Sequence, residues 1–152
     1  MSDIKLHYES VDGAYGFVDI SHVGTGLELD DGLETAVIIS LFTDRRANED
    51  DELPSGDDKR GWWGDSYANV DGDLIGSRLW LLAREKQMAS VVDRAKTYAE
   101  EALRWMVEDG IAEKVFVSAE IVSKGVLGLL VEIYRPNVSP VKYQFNYVWE
   151  AM

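Results

Sequence analysis

The sequence predicts an α+β protein in which an antiparallel sheet, made of an N-terminal hairpin and a C-terminal three-stranded meander, packs with two to three helices. Three observations predict it. Apolar and polar residues alternate near the N-terminus and again along Val141–Trp149, which two further strand-like runs, Val115–Val122 and Val126–Tyr134, precede. Between those ends, apolar residues recur at three and four positions, the period of a helix face. The links joining the last three runs are short, which suits antiparallel neighbours and rules out crossover helices. The length of 152 residues fits one domain spanning 1–152, large enough to bury a core without staples.

In chain order, Ile4–Tyr8 and Tyr15–Ile20 flank the turn-forming Asp12-Gly13 and read as a hairpin. Gly24-Thr25-Gly26 and Asp30-Asp31-Gly32 mark loop, and Asp31 with Glu34 three residues on resembles a helix N-cap pair. A helix over about Leu33–Phe42 follows, with Leu33, Val37 and Leu41 on one stripe. A second helix is predicted over Leu74–Lys86, using Leu74, Leu79, Trp80 and Leu82. A third runs over Ala89–Glu108, where Val91, Val92, Ala95, Tyr98, Ala99, Ala102, Leu103 and Met106 recur at three and four and Asp109-Gly110 is the stop. The closing strands are Val115–Val122, Val126–Tyr134 and Val141–Trp149. In the last, Tyr143, Phe145, Tyr147 and Trp149 share one face and Lys142, Gln144 and Asn146 the other.

The charge excludes partners before it suggests any. A net charge of −13 makes attraction to a phosphate backbone or an anionic membrane unfavourable, so neither nucleic acid nor lipid is expected. No signal peptide and no membrane-length apolar run are read in the chain. Cysteine is absent, which removes disulfides, thiolate metal sites and thiol nucleophiles. The acidity is local. Between Asp44 and Asp73, an irregular acidic loop, ten acids face four cations, a charge of −6 within one stretch.

That loop carries the chemistry that has to be weighed. Asn69-Val70-Asp71-Gly72-Asp73 places oxygen side chains at alternate positions, but Leu74 stands where a calcium loop needs glycine, so no metal is expected. Acids are too abundant for a carboxylate pair near an aromatic to identify a glycosidase. His7 and His22 have no serine or acid at a catalytic spacing, and no catalytic residue or cofactor is predicted. Asp44-Arg45-Arg46 reads either as charges at a helix C-terminus or as part of an ion pair. Gly61-Trp62-Trp63-Gly64-Asp65 is the least accidental string. Paired tryptophans at a glycine-flanked bend serve either as core or as an anchor for a partner.

The order Leu41-Phe42-Thr43-Asp44-Arg45-Arg46-Ala47, acidic loop, Arg60-Gly61-Trp62-Trp63-Gly64-Asp65, then Gly76-Ser77-Arg78-Leu79-Trp80 resembles the baseplate family named after gene forty-six of phage Mu. The likeness covers about Leu33–Trp149. The layout is also similar to the wedge proteins that initiate the sheath of contractile tails, with Thr43-Asp44-Arg45-Arg46 and Trp63-Gly64-Asp65 in comparable places. The Glu-Pro-Arg motif of that wider group is replaced here by Ala112-Glu113-Lys114-Val115.

The resemblance implies a non-enzymatic structural component of a contractile phage or prophage tail baseplate, located in the virion and assembled in the host cytoplasm. Implied partners are other wedge proteins and the first sheath ring, with several copies around the tail axis. Arg45, Arg46, Trp62, Trp63 and Asp65 are the expected partner-contact or loop-anchoring residues. The other reading of the same residues is a tail-associated hydrolase or carbohydrate-binding module.

Overall fold

The computed structural model describes residues 3–11, 15–20, 22–23, 26–27, 29–30, 33–83 and 89–148. Six strands come first: β1 Asp3–Ile4, β2 Leu6–Val11, β3 Tyr15–Ile20, β4 His22–Val23, β5 Gly26–Leu27 and β6 Leu29–Asp30. β2 and β3 form the expected antiparallel hairpin, with Leu6 opposite Ile20 and Val11 opposite Tyr15. β1 pairs with β6 and β4 with β5, two short ribbons that the alternation pattern did not predict. The predicted Asp12-Gly13 turn and the Asp31 cap lie outside the described residues.

Helix α1, Glu34–Phe42, buries Val37, Ile38 and Leu41. Leu33, not a capping acid, occupies its N-cap position. The Leu6 amide donates to Thr35 Oγ1 at 3.0 Å, tying the hairpin to this helix. Helix α2, Ala89–Leu103, presents Val91, Ala95, Tyr98, Ala99, Ala102 and Leu103 inward, the face read from the sequence except for Val92, which is half-buried at its edge. It tightens at Arg104 through bonds from Arg104 to Glu101 and from Val107 to Arg104, then continues as α3, Trp105–Glu108. Gly110, at φ +72°, ends it.

The helix expected over Leu74–Lys86 is not formed in its described part. Only Leu79–Leu82 coils, as a single 3-10 turn with all four residues buried. Two constraints prevent more. Gly76 sits at φ +94°, and Ser77 is tied as a parallel bridge partner to Asp44. The four consecutive apolar residues are buried all round, a condition that helical periodicity does not distinguish from a one-sided face.

β7 Lys114–Ser123, β8 Val126–Tyr134 and β9 Val141–Val148 form the predicted meander in the order β7-β8-β9, both pairs antiparallel. Rows such as Val117, Val131 and Tyr143, or Ala119, Leu129 and Phe145, lie across the three strands. These rows form the inner face. Val117, Leu129, Val131, Ile133 and Phe145 are buried there with α1 and α2 residues in one cluster. Phe42, Tyr8 and Phe145 meet edge-to-face or stacked within 5.8 Å, and Tyr147 stacks on Phe42. The Tyr8 hydroxyl donates to the Asn146 carbonyl and accepts from the Asn146 amide, so the hairpin is bonded to the meander's last strand.

Candidate interaction site

The acidic loop leaves α1 at Thr43 and is fastened at both ends by backbone bonds. The Arg45 amide donates to the Ser77 carbonyl and the Ser77 amide to the Thr43 carbonyl, both at 2.9 Å. Ser77 Oγ donates to the Leu41 carbonyl at 2.5 Å. Gly76 is required at this crossing, because a Cβ there would overlap the Thr43 carbonyl. Further along, the Ala47 amide donates to the Lys59 carbonyl at 2.9 Å and closes the loop on itself.

Charge pairs complete the fastening. Arg60 Nη1 lies 2.7 Å from Asp44 Oδ2, and its guanidinium stacks 4.6 Å above the buried Trp80 ring. Lys59 reaches Glu49 at 2.7 Å, and its hydrogen bond and charge hold that carboxyl below its ordinary pKa. Arg78 does the most. Its Nη1 bonds both Asp51 oxygens at 2.7 and 2.9 Å, its Nη2 bonds Glu101 Oε2 at 2.7 Å, and its plane covers Tyr98. Burial opposes the Arg78 charge, but bonding to Glu101 and Asp51 outweighs it and keeps the guanidinium pKa raised.

Asp44 is thus paired with Arg60 rather than with its neighbours Arg45 and Arg46. Arg45 contributes its carbonyl, which accepts the Trp80 indole N–H at 2.8 Å. Arg46 is exposed, with Nη1 3.5 Å from the Arg60 carbonyl. Neither belongs to the last turn of α1.

At Arg60 and Gly61 the chain takes two positive-φ steps, +51° and +113°, and turns outward. Gly61 packs so close to Arg46 that a Cβ would lie 2.9 Å from Arg46 Cβ. A 3-10 turn, Trp63–Tyr67, follows. Trp62 folds its ring over Gly64, where any Cβ would overlap it. Asp65 Oδ1 accepts the Ile75 amide at 3.1 Å and pins the turn to the strand of chain returning toward Gly76.

The rings on this knuckle face outward. Trp62 is 44% exposed, Trp63 74% and Tyr67 78%. They form one cluster, with centroids 5.5 Å apart for Trp62–Trp63 and 6.2 Å for Trp63–Tyr67. Of the five residues expected from the sequence, Trp62, Trp63 and Asp65 are together on the knuckle, while Arg45 and Arg46 stand at its base. The sequence reading missed Tyr67, Arg60 and Arg78. Tyr67, four residues beyond Trp63 and closing the same turn, was the accessible signal.

The protein-family model described as phage protein GP46 matches residues 33–140 of this chain. The chain belongs to that family. Within the GP46 match lie α1, the fastened loop, the knuckle, α2, α3, β7 and β8; the hairpin and β9 lie outside it. The chain is 48% identical over 129 residues to the baseplate protein gp46 of Escherichia phage Mu, covering 84% of this chain and 87% of that one. It is 40% identical over 149 residues to the Mu-like prophage FluMu protein gp46 of Haemophilus influenzae, 98% of each chain. Among the described residues no group of three or more His, Asp or Glu is placed to hold a metal ion, and no helix is long and apolar enough to cross a membrane.

Proposed function

We propose that this chain is a structural component of the tail baseplate of a Mu-like phage or prophage, assembling with other baseplate proteins in the virion and catalysing no reaction. The observation that carries this is the 48% identity to the Mu baseplate protein, sustained over most of both chains. In this reading its partners are wedge proteins and the first sheath ring, with several copies around the axis of a contractile tail. Assembly takes place in the host cytoplasm. The knuckle and its base, Trp62, Trp63, Asp65, Arg45 and Arg46, form the contact face. Large exposed rings on a fastened loop support that choice, since tryptophan, tyrosine and arginine dominate the energetics of interfaces.

The test is complementation of a phage lacking the gene. The wild-type chain restores tails and co-purifies with them, whereas Trp62→Ala with Trp63→Ala folds normally but enters tails poorly. A chain absent from purified tails overturns the assignment. So does saccharide turnover that is abolished by replacing one carboxylate.

A further inference from the structure

Behind the knuckle runs a groove of about 530 Å³, walled by the loop residues Trp62 to Gly76 on one side and by α1 and α3 on the other. Its floor is apolar, with Ala36, Ile39, Ile75 and Trp105 among the lining residues. Among the described residues its ionisable lining is Asp65, Asp73, Asp109 and the Tyr67 phenol, with no lysine, arginine or histidine. The depression beside it adds Asp71, Glu101 and Glu108 against Arg45 and Arg104, so the surroundings stay acidic.

We propose that this groove receives a segment of a neighbouring baseplate protein that presents a lysine or arginine beside an apolar side chain. The proposal rests on the baseplate reading above. Four observations carry it. The lining is all acidic where it is charged, which favours a cation and repels an acidic or nucleic-acid partner. Asp65 Oδ2 is buried and has no hydrogen-bond partner among the described residues, although its twin oxygen is bonded to Ile75. That oxygen is closed off from solvent, so it acts on a cation in the groove through its negative charge and not as a direct acceptor. Trp62 and Tyr67 line the rim, so a cation entering the groove passes π faces as well as carboxylates. Finally, the knuckle is already held by Asp65–Ile75, by the Trp62 ring over Gly64 and by the Gly76 crossing, so little ordering is left for binding to impose.

A photoreactive benzoylphenylalanine in place of Tyr67, carried by the full-length chain in a phage lacking the gene, tests this. Tyr67 is exposed, so the substitution leaves the fold intact, which a melting curve checks. Irradiated baseplates are digested and the adduct is sequenced by mass spectrometry. The expected adduct falls on one segment of a different baseplate protein, with a lysine or arginine within a few residues. Asp73→Asn with Asp109→Asn, two exposed positions, lowers its yield by about fivefold or more at low salt. An adduct on a segment without a cation, an adduct on a second copy of this chain, or no adduct in baseplates that contain the chain overturns the proposal. Baseplates that never incorporate the unmodified chain overturn the baseplate reading instead.

Discussion

The meander and the acidic loop are held by opposite means. In the meander, two antiparallel ladders, the first interrupted by a register shift between Ile121 and Ser123, bond the backbone, and the inner face buries Val117, Leu129, Val131, Ile133 and Phe145 against the helices. In the loop there is no ladder beyond the single bridge at Asp44, and three tight ion pairs, Lys59–Glu49, Arg60–Asp44 and Arg78–Asp51, hold it with little apolar burial beyond Ala47 and Leu53. The meander accordingly hides the large side chains of its inner face, while Phe116, Ile121 and Val122 of β7 stay exposed. The loop, fastened by charge at its base, can afford to turn Trp62, Trp63 and Tyr67 outward. Apolar burial is roughly proportional to area and is not weakened by charge screening, whereas ion pairs with an exposed member, such as Lys59–Glu49, are screened by salt. One region carries the stability, and the other presents a shape.

The largest effect should come from breaking the apolar half. Phe145→Ala removes a fully buried ring that contacts Tyr8 and Phe42 and should cost about 3–5 kcal/mol in urea unfolding. A loss under ~1 kcal/mol would mean the meander is not the mainstay. Next, Arg78→Met leaves Asp51 and Glu101 without their shared cation and should cost about 1.5–3 kcal/mol. Adding Asp51→Asn should recover part of it. If the double variant is as unstable as the sum of the singles, the two groups are not coupled.

The smallest effect sharpens the contrast from the meander's side. Glu132 accepts from Lys142 and from the Tyr134 hydroxyl on the outer face of the sheet, chiefly Lys142, and its carboxyl pKa is lowered. A carboxyl lowered on folding stabilises above its unfolded pKa and loses that contribution as pH falls through the folded value. Glu132→Gln should therefore be slightly less stable than wild type at neutral pH and indistinguishable from it in strong acid. Thermal melts at both pH values check this. A difference that persists in acid would assign Glu132 a packing role instead.

Much of the fold was legible locally. The apolar run Val126–Tyr134 and the alternation along Val141–Val148, with few residues between them, dictated antiparallel neighbours, and the three-and-four recurrence in Ala89–Leu103 dictated its buried face. The false helix at Leu74–Lys86 arose where Leu79-Trp80-Leu81-Leu82 are buried on every side, so no period betrays the turn. Arg78 escaped notice because its partners lie 27 residues before it and 23 after it. No local window contains both.

By itself, the sequence determined the α+β class, the meander, the long helix, the place of the acidity and the prominence of Gly61-Trp62-Trp63-Gly64-Asp65. Those properties depend on side-chain period, turn chemistry and charge, which neighbouring residues express together. Only the tertiary structure decided that the loop is fastened rather than loose, that Asp44 pairs with Arg60 and not with the adjacent arginines, and that the tryptophans face outward. Adjacent tryptophans bury as much apolar area in a core as at an interface, so their chemistry is the same in both. What turned them outward was the left-handed step at Arg60 and Gly61, with the backbone at Gly76 crossing beneath Thr43. Such crossings exist only when residues far apart in the chain are brought together.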